Sequence, residues 1–306
     1  MAQRFKPAFP GEVPTLGRGV IDWMTDMLAT PDREEYVPFV LTREMAEFIL
    51  NFYRLDPVTG RRVVRRGVIS RPKGWGKSPF LSAIAIAEGL APVVFDGWDA
   101  DGRPVGKPWS RVRTPLVHLL AVSESQTANA WVPMLEMIRQ GPVFDEYPGI
   151  EPMDTRINLP SGRIEFRTSN ATSAEGNKPV FQVLDQTESW TPSNGGVRLA
   201  AVARRNAGKI GGTTIEAPNA FEPGAGSVAE ASAQYWSDIQ SGKIKDGDSA
   251  GLLYDHREWP EFTDLESAES IVAGLAHAYG DSANLDACVV PVSYTHLRAH
   301  ETSLHL

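Results

Sequence analysis

The chain has one cysteine, Cys288, so no disulfide can form within it. That excludes a small disulfide-stapled scaffold and suits a reducing compartment. No apolar run approaches the ~20 residues that a membrane-spanning helix needs. The opening stretch, MAQRFKPAFPGEVPTLG, lacks the apolar core of a secretory signal. An excess of positive charge is missing too: 30 Lys and Arg stand against 38 Asp and Glu, for a formal net charge of −8. No global basic field therefore advertises nucleic-acid binding, although a local surface can still carry it. No internal repeat is visible.

What is present is a globular composition. The chain has 306 residues, 42% of them hydrophobic and 22% charged, enough for one large domain or two smaller ones. Residues 1–38 are rich in proline and read as an extended arm around a short helix near VIDWMTDML. LTREMAEFILNFYRL reads as an amphipathic helix, with Thr42 as its N-cap and Met45, Phe48, Ile49 and Phe52 at helical spacing. Beyond it, RVVRRGVIS, TPLVHLLAVS, PVFQVLD, GTTIEAP and AGLLYDHRE read as strands. PFLSAIAIAEGLA, SQTANAWVPMLEMIRQ, GGVRLAAVARRNA and SVAEASAQYWSDIQSG read as helices between them, and TRINLPSGRIEFRTS as a hairpin. Alternation of this kind predicts an α/β fold with a mainly parallel central sheet flanked by helices.

Between the first strand and its helix lies RPKGWGKSP, residues 71–79. It ends in Gly-Lys-Ser as a phosphate-binding loop does, although Arg71 stands where the strict pattern has glycine. Such a loop turns backbone N–H groups toward phosphate oxygens and adds the positive end of the following helix. In this reading Gly74, Trp75, Gly76, Lys77, Ser78 and Pro79 bind the nucleotide. The two glycines let the backbone come close, Lys77 reaches the β- and γ-phosphates, and Ser78 helps hold Mg²⁺. A Gly-Lys-Ser turn also arises by chance, but here the strand before it and the helix after it supply the required setting.

Nucleotide hydrolysis needs an acid at a nearby strand end. PVFQVLDQTESW offers Asp185 as the second metal-holding residue beside Ser78. An aspartate there can also be a plain helix cap. The reading places Asp185 and the loop at the carboxyl ends of neighbouring parallel strands. Gln186 follows Asp185 and can orient a water but cannot take its proton. If the chain turns after Asp185, Glu188 can swing back as the base; Glu175 is the alternative. Arg71, Arg204 and Arg205 are candidate charge-stabilising arginines.

Together these segments, from about residue 20 to 285, resemble the large terminase subunit of tailed bacteriophages. LTREMAEFILNFYRLD is similar to that family's adenine-side helix, RPKGWGKSP to its Walker A loop, AEGNKPVFQVLDQTESW to its Walker B region and LLYDHRE to the strand that closes its ATPase. GGTTIEAPNAFEPGAGSVAE is similar to its coupling motif, which implies γ-phosphate sensing by Thr213, Thr214 and Asn219. The resemblance implies a P-loop NTPase using ATP and Mg²⁺ to move double-stranded DNA. Its implied partners are the portal protein and procapsid, the small terminase subunit and further copies in a ring, in the host cytoplasm and away from any membrane. Other P-loop translocases, helicases and a non-hydrolysing nucleotide clamp stay open.

The sequence departs from the family at three places. Met45 stands where an adenine-reading glutamine is usual, Gln186 stands where the catalytic glutamate is usual, and no two-metal carboxylate cluster follows residue 260. Cleavage of DNA is therefore not expected of this chain. The expected organisation is an arm with adenine-side helices over 1–60, a nucleotide-binding core over 61–256 and a linker or the start of a nuclease over 257–291. Residues 292–306, VSYTHLRAHETSLHL, resemble a translated sequencing adapter and are expected to pack against nothing.

Overall fold

A computed structural model describes residues 4–168, 178–244, 251–260, 264 and 267–282. Helices α1 (Gly17–Met27) and α2 (Arg43–Phe52) come first, and the Thr42 hydroxyl accepts from Met45 N to cap α2. Strand β1 (Arg66–Ser70) leads through the loop into α3 (Lys77–Leu90). A separate antiparallel ribbon, β2 (Val94–Trp98) with β3 (Pro104–Lys107), follows. Then come β4 (Leu116–Ala121), α4 (Glu124–Gln140), the short α5 (Val143–Glu146) and the strands β5 (Glu151–Pro152), β6 (Arg156–Leu159) and β7 (Gly162–Thr168). Strand β8 (Phe181–Asp185), α6 (Gly196–Ile210), β9 (Thr213–Ala217), α7 (Val228–Gln240), β10 (Leu252–His256) and α8 (Ala268–Tyr279) complete the order.

The main sheet runs β10-β1-β9-β8-β4-β7-β6-β5. Strands β10 through β7 pair in parallel, and β6 and β5 close the edge antiparallel. Parallel sheets need cover on both faces, and here every residue of β8 and β9 is buried. Helix α3 runs through the principal core with Phe80, Leu81, Ile84 and Ile86 fully buried, which explains its nearly continuous apolar sequence.

Three features differ from the sequence reading. Strand β1, which leads into the Gly-Lys-Ser loop, and the Asp185 strand β8 are not neighbours, because β9 lies between them. The β2–β3 ribbon has too little alternation, with Asp96 and Gly97 in its centre, to have announced itself. Part of the segment read as a linker or the start of a nuclease, residues 257–291, forms α8, whose Ile271, Leu275 and Tyr279 join the principal core. Residues 292–306 lie outside the described residues.

β9 carries a buried carboxylate, Glu216, with no solvent exposure. Arg66 of β1 bonds it at 2.7 Å, Arg204 of α6 at 2.6 Å and the Ser232 hydroxyl of α7 at 2.7 Å. Burial works against the charge, but the two guanidinium groups outweigh it and hold the carboxyl below its ordinary range. One side chain thus ties β9 to its neighbour and to two covering helices. Glu216→Ala should cost about 3–5 kcal/mol in denaturant unfolding, because it strands two partly buried cations. Replacing Glu216, Arg66 and Arg204 together by apolar residues of similar volume should recover most of that loss. A single replacement that costs nothing measurable would refute this role.

Candidate active site

The loop after β1 has two glycines that the backbone requires. Gly74 has φ 87° and Gly76 has φ 105°, in the left-handed region that side chains disfavour. Gly76 is the residue before the first turn of α3 and has no side chain to cap it. The first N–H groups of that 14-residue helix are thereby left for a ligand. Pro79 sits in the same turn, where an N–H is not needed. Ser78 is half-buried there, and its carbonyl accepts from the Ser82 hydroxyl. Trp75 is 1% exposed and packs edge-on against Phe80, so its ring serves the core and only its backbone lines the loop.

Lys77 curls back into the loop. Its Nζ donates to the carbonyls of Arg71 (2.6 Å) and Pro72 (2.8 Å) and to Asn219 Oδ1 (2.7 Å), which uses all three ammonium donors. Burial pulls its pKa down to about 8, against the opposing pull of Glu188 and Asp185. The lysine therefore occupies the space its own loop encloses. A cavity of about 550 Å³ lies elsewhere, between the N-terminal arm and the ribbon, and holds none of these residues.

Asp185 ends β8 at the same edge of the sheet. It is 6% exposed, and burial pushes its pKa up to about 6, Lys77 countering and Glu188 adding to the rise. Its Oδ2 is buried without a hydrogen-bond partner. Such an atom is costly unless something occupies it, and a hydrated cation would satisfy it. Among the described residues no three of His, Cys, Asp or Glu gather into a metal cage. Mg²⁺ does not need one, since it is commonly held by one or two carboxylates together with phosphate oxygens. Ser78 and Asp185 fit that pattern.

The chain turns directly after Asp185. Gln186 has φ 54° and ψ 48°, and Thr187–Ser189 form a single 3-10 turn. The fully buried Trp190 pins this turn by donating from Nε1 to the Asp185 carbonyl at 2.9 Å. Glu188 is thereby brought back to the site. Its two oxygens accept from Asn219 N (3.0 Å) and Asn219 Nδ2 (2.6 Å). Asn219 follows β9, so the strand between β1 and β8 delivers the amide that bridges Lys77 and Glu188.

Other candidates lie elsewhere. The Arg71 guanidinium is 2% exposed and pairs with Asp255 at 2.7 Å and Glu44 at 3.6 Å. It is committed to β10 and α2, so the sequence reading of Arg71 as a charge-stabilising finger gives way to a structural role. Arg204 is held by Glu216, and Arg205 is exposed on α6. Thr213 and Thr214 open β9 and lie at the amino end of the sheet, four residues of strand from the site edge. Of the three coupling candidates, Asn219 alone reaches the cluster. Met45 packs beside the loop, in ordinary contact distance of where a Gly76 side chain would begin. Glu175 lies outside the described residues. Trp190 and the contacts of α8 to the loop were missed by the sequence reading because nothing in local spacing marks them.

No protein-family model matches the chain. The Gene 13 protein of Mycobacterium phage L5 is 34% identical over 312 residues, covering 88% of this chain and 50% of that protein. The Gene 13 protein of Mycobacterium phage D29 is 33% identical over 308 residues, with the same coverage. The chain thus spans about half the length of the curated relatives it matches. The crystal structure of the HK97 bacteriophage large terminase superposes with a TM-score of 0.64 at 16% identity, over 92% of this chain and 52% of that one. The chain is therefore a relative of the mycobacteriophage Gene 13 proteins, with the terminase-like α/β fold of a bacteriophage large terminase.

Proposed function

We propose that this chain is the ATPase part of a phage DNA-packaging subunit, a large terminase. The observation that carries the reading is the hydrogen-bonded run from Lys77 through Asn219 to Glu188, beside the buried Asp185. Three chain segments converge there at the carboxyl edge of a parallel sheet, where α/β folds bind ligands. The substrate would be ATP. Mg²⁺, held by Ser78 and through water by Asp185, would neutralise charge on the transferred phosphoryl group.

The chain's own groups suggest an order of events. An arriving γ-phosphate offers Lys77 a better acceptor than two backbone carbonyls and an amide oxygen. Lys77 then leaves Asn219 Oδ1. Asn219, freed at one end, can turn its side chain and release Glu188 Oε1, while its backbone N–H keeps Oε2 and holds the carboxylate in place. Glu188 can then take the proton of the water that attacks in line. Asn219 so makes the base available only when phosphate is in place. The work would move double-stranded DNA, with a homo-oligomeric ring, the portal protein, the procapsid and the small terminase subunit as partners. The site of action would be the portal, in the host cytoplasm. Among the described residues no helix is long and apolar enough to cross a membrane.

A nucleotide clamp without turnover is the second reading. Asn219 occupies both oxygens of Glu188, and Gln186 cannot replace it as a base.

Purified protein should hydrolyse ATP with Mg²⁺, and Lys77→Ala should abolish nucleotide binding in calorimetry. Unchanged affinity in that variant would end the phosphate-loop assignment. Glu188→Gln should cut turnover by about 10²-fold or more and spare ATP binding, as loss of a general base does. Turnover at the original rate would remove Glu188 as the base, and wild-type binding without turnover would favour the clamp.

Asp185 adds a pH signature. Its raised folded pKa means the folded protein binds this proton more tightly than the unfolded chain. The stability that the neutral acid contributes is complete below about pH 4 and is lost as pH rises through about 6. In metal-free buffer Asp185→Asn should therefore be more stable than wild type at pH 7.5, by on the order of 2–3 kcal/mol. The two should converge near pH 4 in thermal melts. An offset that does not change with pH would contradict this assignment.

A further inference from the structure

We propose that α8 and the residues just after it are positioning elements of the phosphate loop, acting through Tyr279 and Ser282. The inference rests on the nucleotide reading above and names residues that reading does not use. A loop that meets phosphate with its N–H groups must find other partners for its carbonyls. The Tyr279 hydroxyl donates to the Lys73 carbonyl, and the buried Ser282 hydroxyl donates to the Trp75 carbonyl at 2.9 Å. These two carbonyls bracket Gly74, the residue with the most conformational freedom to lose on ordering.

The contacts are not incidental. Ile271, Leu275 and Tyr279 anchor α8 in the principal core, so the Tyr279 hydroxyl is presented from a fixed support. A second link runs through α2. Glu44 N donates to Asp281 Oδ2 at 2.9 Å, while the Glu44 carboxylate pairs with Arg257 at 2.7 Å and with Arg71, the first loop residue, at 3.6 Å. Arg257 in turn donates to the His277 carbonyl at 3.3 Å. Gly280 permits the close approach: its φ is 57°, and a Cβ there would lie 2.0 Å from Glu44 Oε1. The segment that follows the last strand of the sheet thus holds the outer side of the loop at two carbonyls and its first residue through Glu44.

The test uses the full chain with Tyr279→Phe, Ser282→Ala and the double variant, and Gly280→Ala as an independent way to displace the segment. Hydrogen exchange at the amides of residues 73–77, without nucleotide, reads the loop directly. Exchange there should quicken about fivefold or more in the double variant and in Gly280→Ala, while the β8 and β9 amides keep wild-type rates. Calorimetry with Mg·ADP should show affinity about fivefold to tenfold weaker, the loss of one or two hydrogen bonds. The KM for ATP should rise in step and kcat should stay within about twofold. Wild-type exchange at residues 73–77 in both the double variant and Gly280→Ala would overturn the proposal. So would faster exchange with unchanged affinity and KM, since α8 would then matter only to stability. If the wild-type chain binds no nucleotide, the ATPase reading fails, and the exchange rates alone decide whether α8 positions the loop.

Discussion

Strand β9 separates the strand that leads into the Gly-Lys-Ser loop from the strand that ends in Asp185, and the site depends on that placement. If β1 and β8 were paired directly, Lys77 and Asp185 would face each other with nothing between them. With β9 inserted, the residues that leave its carboxyl end arrive midway, and Asn219 spans the gap. Its Oδ1 accepts a hydrogen bond from Lys77, and its Nδ2 and backbone N–H donate to Glu188. An amide suits this place because it is donor and acceptor at once, and a carboxylate or an amine could not serve both neighbours. The strand keeps its position through Glu216, which reaches β1, α6 and α7 from the middle of the sheet.

The buried charges fall into two groups with opposite uses. Glu216 and Glu88 are satisfied on every side: Glu88 bonds Arg62 at 2.7 Å, the Tyr53 hydroxyl at 3.0 Å and the Trp109 indole at 3.1 Å. Such networks hold elements in register. Lys77 and Asp185 are buried at a cost to their charged forms, and their pKa values are drawn toward each other, to about 8 and about 6. Groups held this way would gain from a ligand that gave each an opposite charge, as the phosphate and cation of the proposed nucleotide would. The fold therefore uses its ion-paired charges for rigidity, and the charges at the edge where strands end are held by neutral groups or by none.

Much of this was readable one segment at a time. Thr42 as a cap, the apolar run of α3, the buried strand before Asp185, and Gly74 and Gly76 in a loop between strand and helix are all local matters. Each depends on residues within a few positions, so spacing and residue type suffice. The turn after Asp185 was also suggested by the loop-forming residues that follow it. Arg71 was misread for the opposite reason. An arginine in a Gly-Lys-Ser loop looks available, and only Asp255, from the neighbouring strand β10, shows that its charge is already engaged. Thr213 and Thr214 were grouped with Asn219 by resemblance to a coupling motif, yet they open β9 and lie at its amino end, away from the site.

The chain's order of residues settled the elements, the alternation that demands a parallel sheet, and the groups on offer: a Gly-Lys-Ser loop, an acid at a strand end and a nearby carboxylate. Which of those groups meet was settled by packing. Lys77 and Asn219 are 142 residues apart, and Tyr279 and Lys73 are 206 apart. No local pattern encodes such pairs, because a hydrogen bond of this kind exists only once the strand order has brought its two ends together. Strand order follows from burying both faces of the whole sheet at once, a property of all its helices and strands taken together.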